Sequence, residues 1–155
     1  MTHQNPQPEY LTGRIRFRQD PNAGQTFGNE REIYPQLSFN EELRIYGVKV
    51  AAHIFTPPFD SEQISYTQLG NIINGTLNLD IFIGGNKIPF QSINASDLIL
   101  SKNHEIYFSS PAIVEMKQPL RIDGGITPPA GGVASLKKRM TLVVTLICER
   151  HLKEN

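Results

Sequence analysis

The sequence has little or none of several residue types that would identify a class of function. It contains one cysteine, Cys148, and no tryptophan among its 155 residues. A single cysteine forms no intrachain disulfide and no four-cysteine metal site. Tryptophan offers the largest ring for stacking on a sugar, so its absence argues against a carbohydrate-binding sandwich. The sequence also shows no obvious platform shared by any two of its five tyrosines.

Net charge and long hydrophobic runs are absent as well. Fifteen acidic residues balance fifteen basic ones, so no overall field draws the protein to nucleic acid or to an anionic membrane. The longest apolar run, "LVVTLIC", is far shorter than the ~20 residues of a membrane helix. The polar start "MTHQNPQPEY" is neither a signal nor a transit peptide. We therefore expect a soluble protein, made in a reducing cytoplasm, without a membrane span.

The composition and the hydrophobic periodicity favour an all-β fold. Twelve glycines and eleven prolines suit short strands joined by many turns and argue against a helical bundle. Apolar residues alternate with polar ones in "LTGRIRFR", "LRIYGVKVAAHIF" and "TLNLDIFI", which is the period of a half-buried strand. We predict a flexible arm over residues 1–10, a single domain over 11–155, and one short helix, at under about 15% of the chain, within 60–74.

Individual strands are predicted in more detail. Gly47 marks a β-bulge where the apolar phase shifts, and "GGN" turns a hairpin between "TLNLDIFI" and "KIPFQSI". "REIYPQLSF" is a weaker edge strand, and "HEIYFSS" and "AIVEMKQPLRI" are two further strands. The second of these is expected to bury Ala112, Val114, Met116, Leu120 and Ile122. "MTLVVTLICER", apolar on both faces, is central or lies at a subunit contact. About eight antiparallel strands predict a β-sandwich, with an eight-stranded jelly roll as the leading arrangement.

Motifs for catalysis and cofactors are missing. The loop at 123–138 lacks the glycine and lysine spacing of a phosphate-binding loop and leads into a strand. The four histidines have no partner at metal-ligand spacing, and Cys148 is expected to be a buried structural thiol. We predict no catalytic residue, no metal and no cofactor, and hence a protein that is not an enzyme.

Two basic clusters are the candidate binding residues. Arg14, Arg16 and Arg18 point to one face of a strand, and Lys137, Lys138 and Arg139 form a second cluster. Like charges at a spacing of two repel one another unless they face open water, carboxylates or phosphates. Three interpretations stay open: a solvated face, contact with acidic residues of a neighbouring subunit, and contact with phosphate, including that of nucleic acid.

The strand series "LRIYGVKVAAHIF", "TLNLDIFIGGNKIPF", "AIVEMKQPLRI" and "MTLVVTLICER" resembles the single jelly-roll penton and minor capsid proteins of tailless icosahedral phages. The resemblance covers most of residues 43–150. It implies a non-enzymatic structural protein of the virion, which assembles around a symmetry axis and grips neighbouring capsid proteins with an N-terminal arm. A pentamer is expected ahead of a trimer.

Two other classes of function are compatible with the sequence. One is a glycan- or receptor-binding module, such as a fibre head or a decoration protein, with its site on the loops at 18–30 and 123–138. The other is a β-sandwich enzyme whose carboxylates come together only in three dimensions.

Overall fold

The fold is built almost wholly from antiparallel strands. A computed structural model of the protein describes residues 6–19, 26–28, 31–56, 59–63, 66–100, 104–132 and 134–153. Strands hold 65% of the described residues, which also include two short helices, and this confirms the all-β prediction. The elements are β1 (Gln7–Phe17), β2 (Thr26–Gly28), β3 (Glu41–Thr56), β4 (Phe59–Gln63), α1 (Tyr66–Ile72), β5 (Ile73–Asn74), β6 (Thr76–Ile83), β7 (Asn86–Asn94), α2 (Ala95–Leu100), β8 (Glu105–Val114), β9 (Leu120–Thr127), β10 (Ser135–Leu136) and β11 (Met140–Leu152).

The strands form two main sheets. The first sheet has the order β1-β11-β3-β4, and β8 pairs with β3 as its fifth strand. The second sheet has the order β2-β9-β6-β7, and β5 and β10 form a small ribbon. The last long strand, β11, lies between β1 and β3, so its predicted central position is confirmed.

The core lies between the two sheets because each long strand turns alternate side chains inward. On β1, Ile15 and Phe17 are buried while the arginines between them are exposed. The Phe17 ring reaches the second sheet and packs on Phe27, with ring centroids 5.2 Å apart. Gly124 makes room for this contact, since a Cβ there would lie 2.9 Å from Phe17 Cζ. Burial of this kind stabilises by roughly 25 cal/mol per Å² of apolar surface.

The predicted β-bulge at Gly47 is confirmed. The register of β3 shifts between Ile45 and Gly47 against β8, and the pairing with β11 shifts at the same place. A Cβ on Gly47 would collide with the carbonyl oxygen of Ile106. Glycine therefore allows β8 to approach the bulged strand closely.

The predicted hairpin is also confirmed. β6 and β7 pair in antiparallel register up to Ile83 and Asn86, and Gly84 and Gly85 form the turn. Both glycines have positive φ, +55° and +95°, as a two-residue turn matching the strand twist requires.

The helix prediction is only partly right. The helix α1 occupies the second half of 60–74, but β4 takes residues that were expected to begin it. A second helix, α2, was missed. Its cap is visible in the sequence, because Asn94 Oδ1 accepts a hydrogen bond from the Asp97 backbone N–H at 3.2 Å. None of the described helices is long and apolar enough to cross a membrane.

Several predicted boundaries are wrong. β1 begins at Gln7, within the expected arm, while residues 1–5 lie outside the described part. β8 runs unbroken through "EIYFSSPAIV", and a turn then separates Val114 from Leu120, leaving Met116 40% exposed rather than buried. β9 continues to Thr127, so 123–127 is strand and not loop. "REIYPQLSF" contributes only an isolated bridge from Ile33 to Leu120.

Candidate functional site on the outer face of the first sheet

The outer face of the first sheet, which points away from the core, carries the predicted basic strand residues. Arg14, Arg16 and Arg18 are all exposed. In the register of the sheet, Arg14 lies beside Val143 and then Ala51, and Arg16 lies beside Thr141 and then His53. The neighbouring strands therefore place no carboxylate directly across from these two arginines. Guanidinium groups stay charged at any physiological pH, so this end of the face favours anions.

The two basic clusters that are far apart in sequence meet in space. β1 and β11 are antiparallel neighbours, and the pair Phe17 and Met140 ends their register, so Arg18 and Arg139 emerge at the same edge. A depression of about 500 Å³ lies there, lined by Arg16, Phe17, Arg18, Gln19, Arg139, Met140 and Thr141.

Three of the predicted basic residues line this depression and three do not. Arg14 continues the row along β1, and Lys137 and Lys138 are exposed just before Arg139. Arg16 and Arg139 also interact with other groups of the chain. The depression is thus a point where positive charges converge, not a set of unpaired groups.

An aromatic row crosses the same face further along the strands. The register aligns Tyr10 with Ile147, Ile147 with Gly47, and Gly47 with Tyr107. Tyr10 is 66% exposed and Tyr107 62% exposed. Because Gly47 has no side chain, the ring of Tyr107 lies over its backbone, with Cδ1 3.1 Å from where a Cβ would be.

This row was missed because its members are far apart in sequence. The pKa of Tyr107 is raised, first by partial desolvation of its hydroxyl and then by the charge of Glu105, whose Oε1 accepts a hydrogen bond from that hydroxyl at 3.2 Å. Tyr10 adds a smaller electrostatic contribution to the same rise in pKa. The register places the two tyrosines three strand spacings apart, roughly 14 Å across the sheet.

A polar cluster occupies the far end of the outer face. Arg44 Nη2 lies 2.9 Å from Glu42 Oε1, and the Tyr46 hydroxyl lies 3.4 Å from His151 Nε2. His151 Nε2 is 3.9 Å from Glu149 Oε1. Burial, followed by the hydrogen bond to Glu149, raises the pKa of Tyr46. These groups are paired with one another, and they set one guanidinium against two carboxylates at this end of the face.

The thiol and the histidines form no reactive group in the described part of the chain. Cys148 is buried, and desolvation, followed by the charge of Glu9, raises its pKa to about 12. A thiol with that pKa is a poor nucleophile near neutral pH, as expected for a structural cysteine. Among the described residues, no group of three or more His, Cys, Asp or Glu side chains is placed to hold a metal ion.

A second exposed surface lies at the end of the sandwich where β3 starts and β11 finishes. Phe39 is 78% exposed and lies at the tip of a turn. In this turn Ser38 Oγ donates a hydrogen bond to Glu41 Oε1 at 2.7 Å. Met116 and Leu152, 40% and 47% exposed, lie on segments joined by an ion pair between Lys153 and Glu115 at 3.5 Å. We call Phe39, Met116 and Leu152 the apolar end.

Comparisons of the chain with models of protein families, with curated proteins and with solved structures found no match.

Proposed function

We propose that the chain is a non-enzymatic structural protein of a virus particle, a single jelly roll that assembles as a symmetric oligomer and contacts neighbouring capsid proteins. The order of strand pairing carries this proposal. With β4 and the β5–β10 ribbon set aside, eight strands remain, and we number them 1 to 8 along the chain. Their order is then 1-8-3-6 in the first sheet and 2-7-4-5 in the second. Two interleaved Greek keys, the basis of a jelly roll, produce this order.

A jelly roll occurs in capsid proteins, lectins and other domains, so the fold does not decide among these functions. The choice depends on the exposed surfaces. The exposed large side chains support assembly. The apolar end presents Phe39 on a turn held by hydrogen bonds, and the outer face presents Tyr10 and Tyr107. A cyclic ring needs two different contact surfaces on each subunit, and these two lie at separate places on the sandwich. The fivefold order of the ring rests on the resemblance to vertex proteins.

Light scattering of the purified full chain tests the proposal. A pentamer supports the vertex position, and a trimer supports a fibre or decoration protein instead. A stable monomer over a wide concentration range would overturn the assembly proposal. Phe39→Ser should lower the native mass, whereas Phe39→Leu should preserve it because the contact stays apolar. Both variants should keep the far-ultraviolet circular dichroism spectrum of the parent, since the side chain is exposed in the single chain and does not hold its fold.

A glycan- or receptor-binding module is the second candidate, and the aromatic row is the observation that favours it. Tyr10 and Tyr107 form an exposed platform on two strands. In this candidate the binding site lies on that platform and not on the loops predicted at 18–30 and 123–138. The test is binding of immobilised sugars by the parent protein and by a variant that carries Tyr10→Ala and Tyr107→Ala. Binding that is lost in the variant, together with a parent that remains monomeric, would select this candidate over the structural one.

A further inference from the structure

The outer face of the first sheet combines a regular line of positive charge with exposed aromatic rings. We propose that this face binds single-stranded nucleic acid. In this proposal Arg14, Arg16 and Arg18 contact successive phosphates, and Tyr10 and Tyr107 stack on bases. The proposed assembly places a subunit contact on Tyr10 and Tyr107, so nucleic acid and a neighbouring subunit would compete for this face, and native mass is measured beside binding to tell the two apart.

The spacing of the arginines fits an extended polyanion. Alternate residues of a strand on one face are roughly 6.7 Å apart, which is comparable to the distance between successive phosphates of an extended single strand. Arg14 and Arg16 follow this spacing on the exposed face of β1, and Arg18 is exposed one residue beyond its end. Because Arg14 lies outside the depression that Arg16, Arg18 and Arg139 line, the positive charge extends beyond the reach of one small anion and suits a chain of phosphates.

The depression at the end of the line extends the positive surface across to β11. Arg16, Arg18 and Arg139 border it, and its volume of about 500 Å³ leaves room for a phosphate with part of its sugar. Lys137 and Lys138 are exposed next to Arg139. The residues of this edge thus offer a continuous path for a backbone that leaves the row on β1.

Tyr10 and Tyr107 provide aromatic rings for base stacking, which a purely electrostatic surface lacks. Tyr10, Thr12 and Arg14 follow one another on the same face of β1, so Tyr10 lies roughly 13 Å from Arg14 along the strand. That distance corresponds to about two nucleotides at the phosphate spacing given above. Single-strand binders combine a basic track with aromatic rings on which bases stack, and both are present on this sheet.

An acidic surface of a second copy is the competing occupant of the arginines, and the ion pairs of the chain disfavour it. Many of the described carboxylates that another copy would offer already have cationic partners within the chain. Glu9 and Glu41 are paired with Arg150, Glu42 with Arg44, Asp80 with Lys87, Asp123 with Arg121, and Glu115 with Lys153. A nucleic acid backbone brings unpaired negative charge at every residue.

Fluorescence anisotropy of the full chain with a labelled oligothymidylate tests the proposal. The measurement is repeated over a salt series, with a duplex of the same length and with inorganic phosphate as competitor. One variant carries Arg14→Gln, Arg16→Gln and Arg18→Gln, and a second carries Tyr10→Ala and Tyr107→Ala. Arg121→Gln is the matched control, since Arg121 is exposed on the second sheet. Native mass is measured for each variant, so that a change in assembly is seen separately.

The expected result is binding of the single strand in preference to the duplex, with affinity that falls as salt rises. The triple arginine variant should make the slope of log affinity against log salt shallower by about two. The tyrosine variant should bind at least roughly thirtyfold more weakly with little change in that slope, and Arg121→Gln should behave as the parent.

Three outcomes would overturn the proposal. The first is no binding at low salt. The second is equal affinity for single strand and duplex with no effect of the tyrosine variant, which would indicate a general polyanion surface. The third is a triple arginine variant that binds normally but has a lower native mass, which would assign the arginines to a carboxylate surface of a second copy.

Discussion

Arg150 on β11 forms a two-bond ion pair with Glu9 on β1. Arg150 Nη2 lies 3.0 Å from Glu9 Oε1, and Arg150 Nε donates to Glu9 Oε2 at 3.2 Å. The same guanidinium donates through Nη1 to the carbonyl oxygen of Gln36 at 2.7 Å and approaches Glu41 Oε2 at 3.4 Å. One side chain thus joins the first strand, the last strand and the start of β3 where the sandwich closes.

Replacing Arg150 should destabilise the fold. Arg150→Met keeps much of the side-chain length but removes every one of these bonds, at a cost of about 1–2 kcal/mol for partly buried charged hydrogen bonds. Arg44→Met is the control, because Arg44 pairs with Glu42 on its own strand and should cost under about 0.5 kcal/mol. Urea unfolding followed by circular dichroism measures both. Equal midpoints for the two variants would contradict the structural role of Arg150.

The turn that carries Phe39 should lose stability in acid. Hydrogen bonds from the Ser38 backbone N–H and then from its hydroxyl lower the pKa of Glu41 from its usual 4.5, with a smaller contribution from Arg150, against desolvation. A carboxyl whose pKa is lower in the folded state adds stability above pH 4.5, and this stability is lost as pH falls through the folded pKa.

Ser38→Ala measures this effect. At pH 7 the loss of the hydroxyl should destabilise by about 1 kcal/mol, and the difference from the parent should shrink as pH falls below 4.5 through the lowered pKa of Glu41. The exposed Ser109→Ala is the control and should show no pH-dependent difference. A Ser38→Ala penalty that stays the same from pH 7 down to the acid limit of the folded protein would contradict the link to Glu41.

The bulge in β3 should tolerate only glycine at position 47. Gly47→Ala places a methyl group against the backbone of Ile106 and the ring of Tyr107, and overpacking of this kind costs about 1–3 kcal/mol. Gly70→Ala is the matched change in α1, where a Cβ meets nothing within 4 Å, and it should stabilise by up to about 1 kcal/mol. Thermal unfolding of both variants checks the contrast, and a neutral Gly47→Ala would show that β8 can move away.

Cys148 should resist thiol reagents in the folded protein. Since its pKa is raised to about 12, the thiol stays neutral at pH 8 and is also buried. An aromatic disulfide reagent should react slowly with native protein and rapidly in concentrated urea. Because the unfolded thiol ionises near pH 9.0, this group also lowers stability as pH rises from about 9 towards 12. Rapid reaction of native protein at pH 8 would show that β11 is accessible.

Local sequence patterns predicted those features that depend on neighbours along the chain. The bulge at Gly47 and the hairpin turn at Gly84 and Gly85 follow from backbone geometry that only glycine adopts readily. The burial of Ile15 and Phe17 follows from period-two alternation. Boundaries were less predictable: Met116 continues the alternation of a strand, yet the chain turns there and exposes it. The helix α2 had a recognisable cap at Asn94, which was overlooked.

The amino-acid sequence by itself determined the class of fold, because alternation and turn residues act over a few positions. It also determined that Arg14 and Arg16 share one face of β1, with Arg18 just beyond its end. Only the tertiary structure decided that Arg18 and Arg139 meet at one depression, and that Tyr10 and Tyr107 lie in one row across four strands. Both depend on which strands pair and in what register. Strand pairing is selected by burial of the whole core, and no local pattern encodes it.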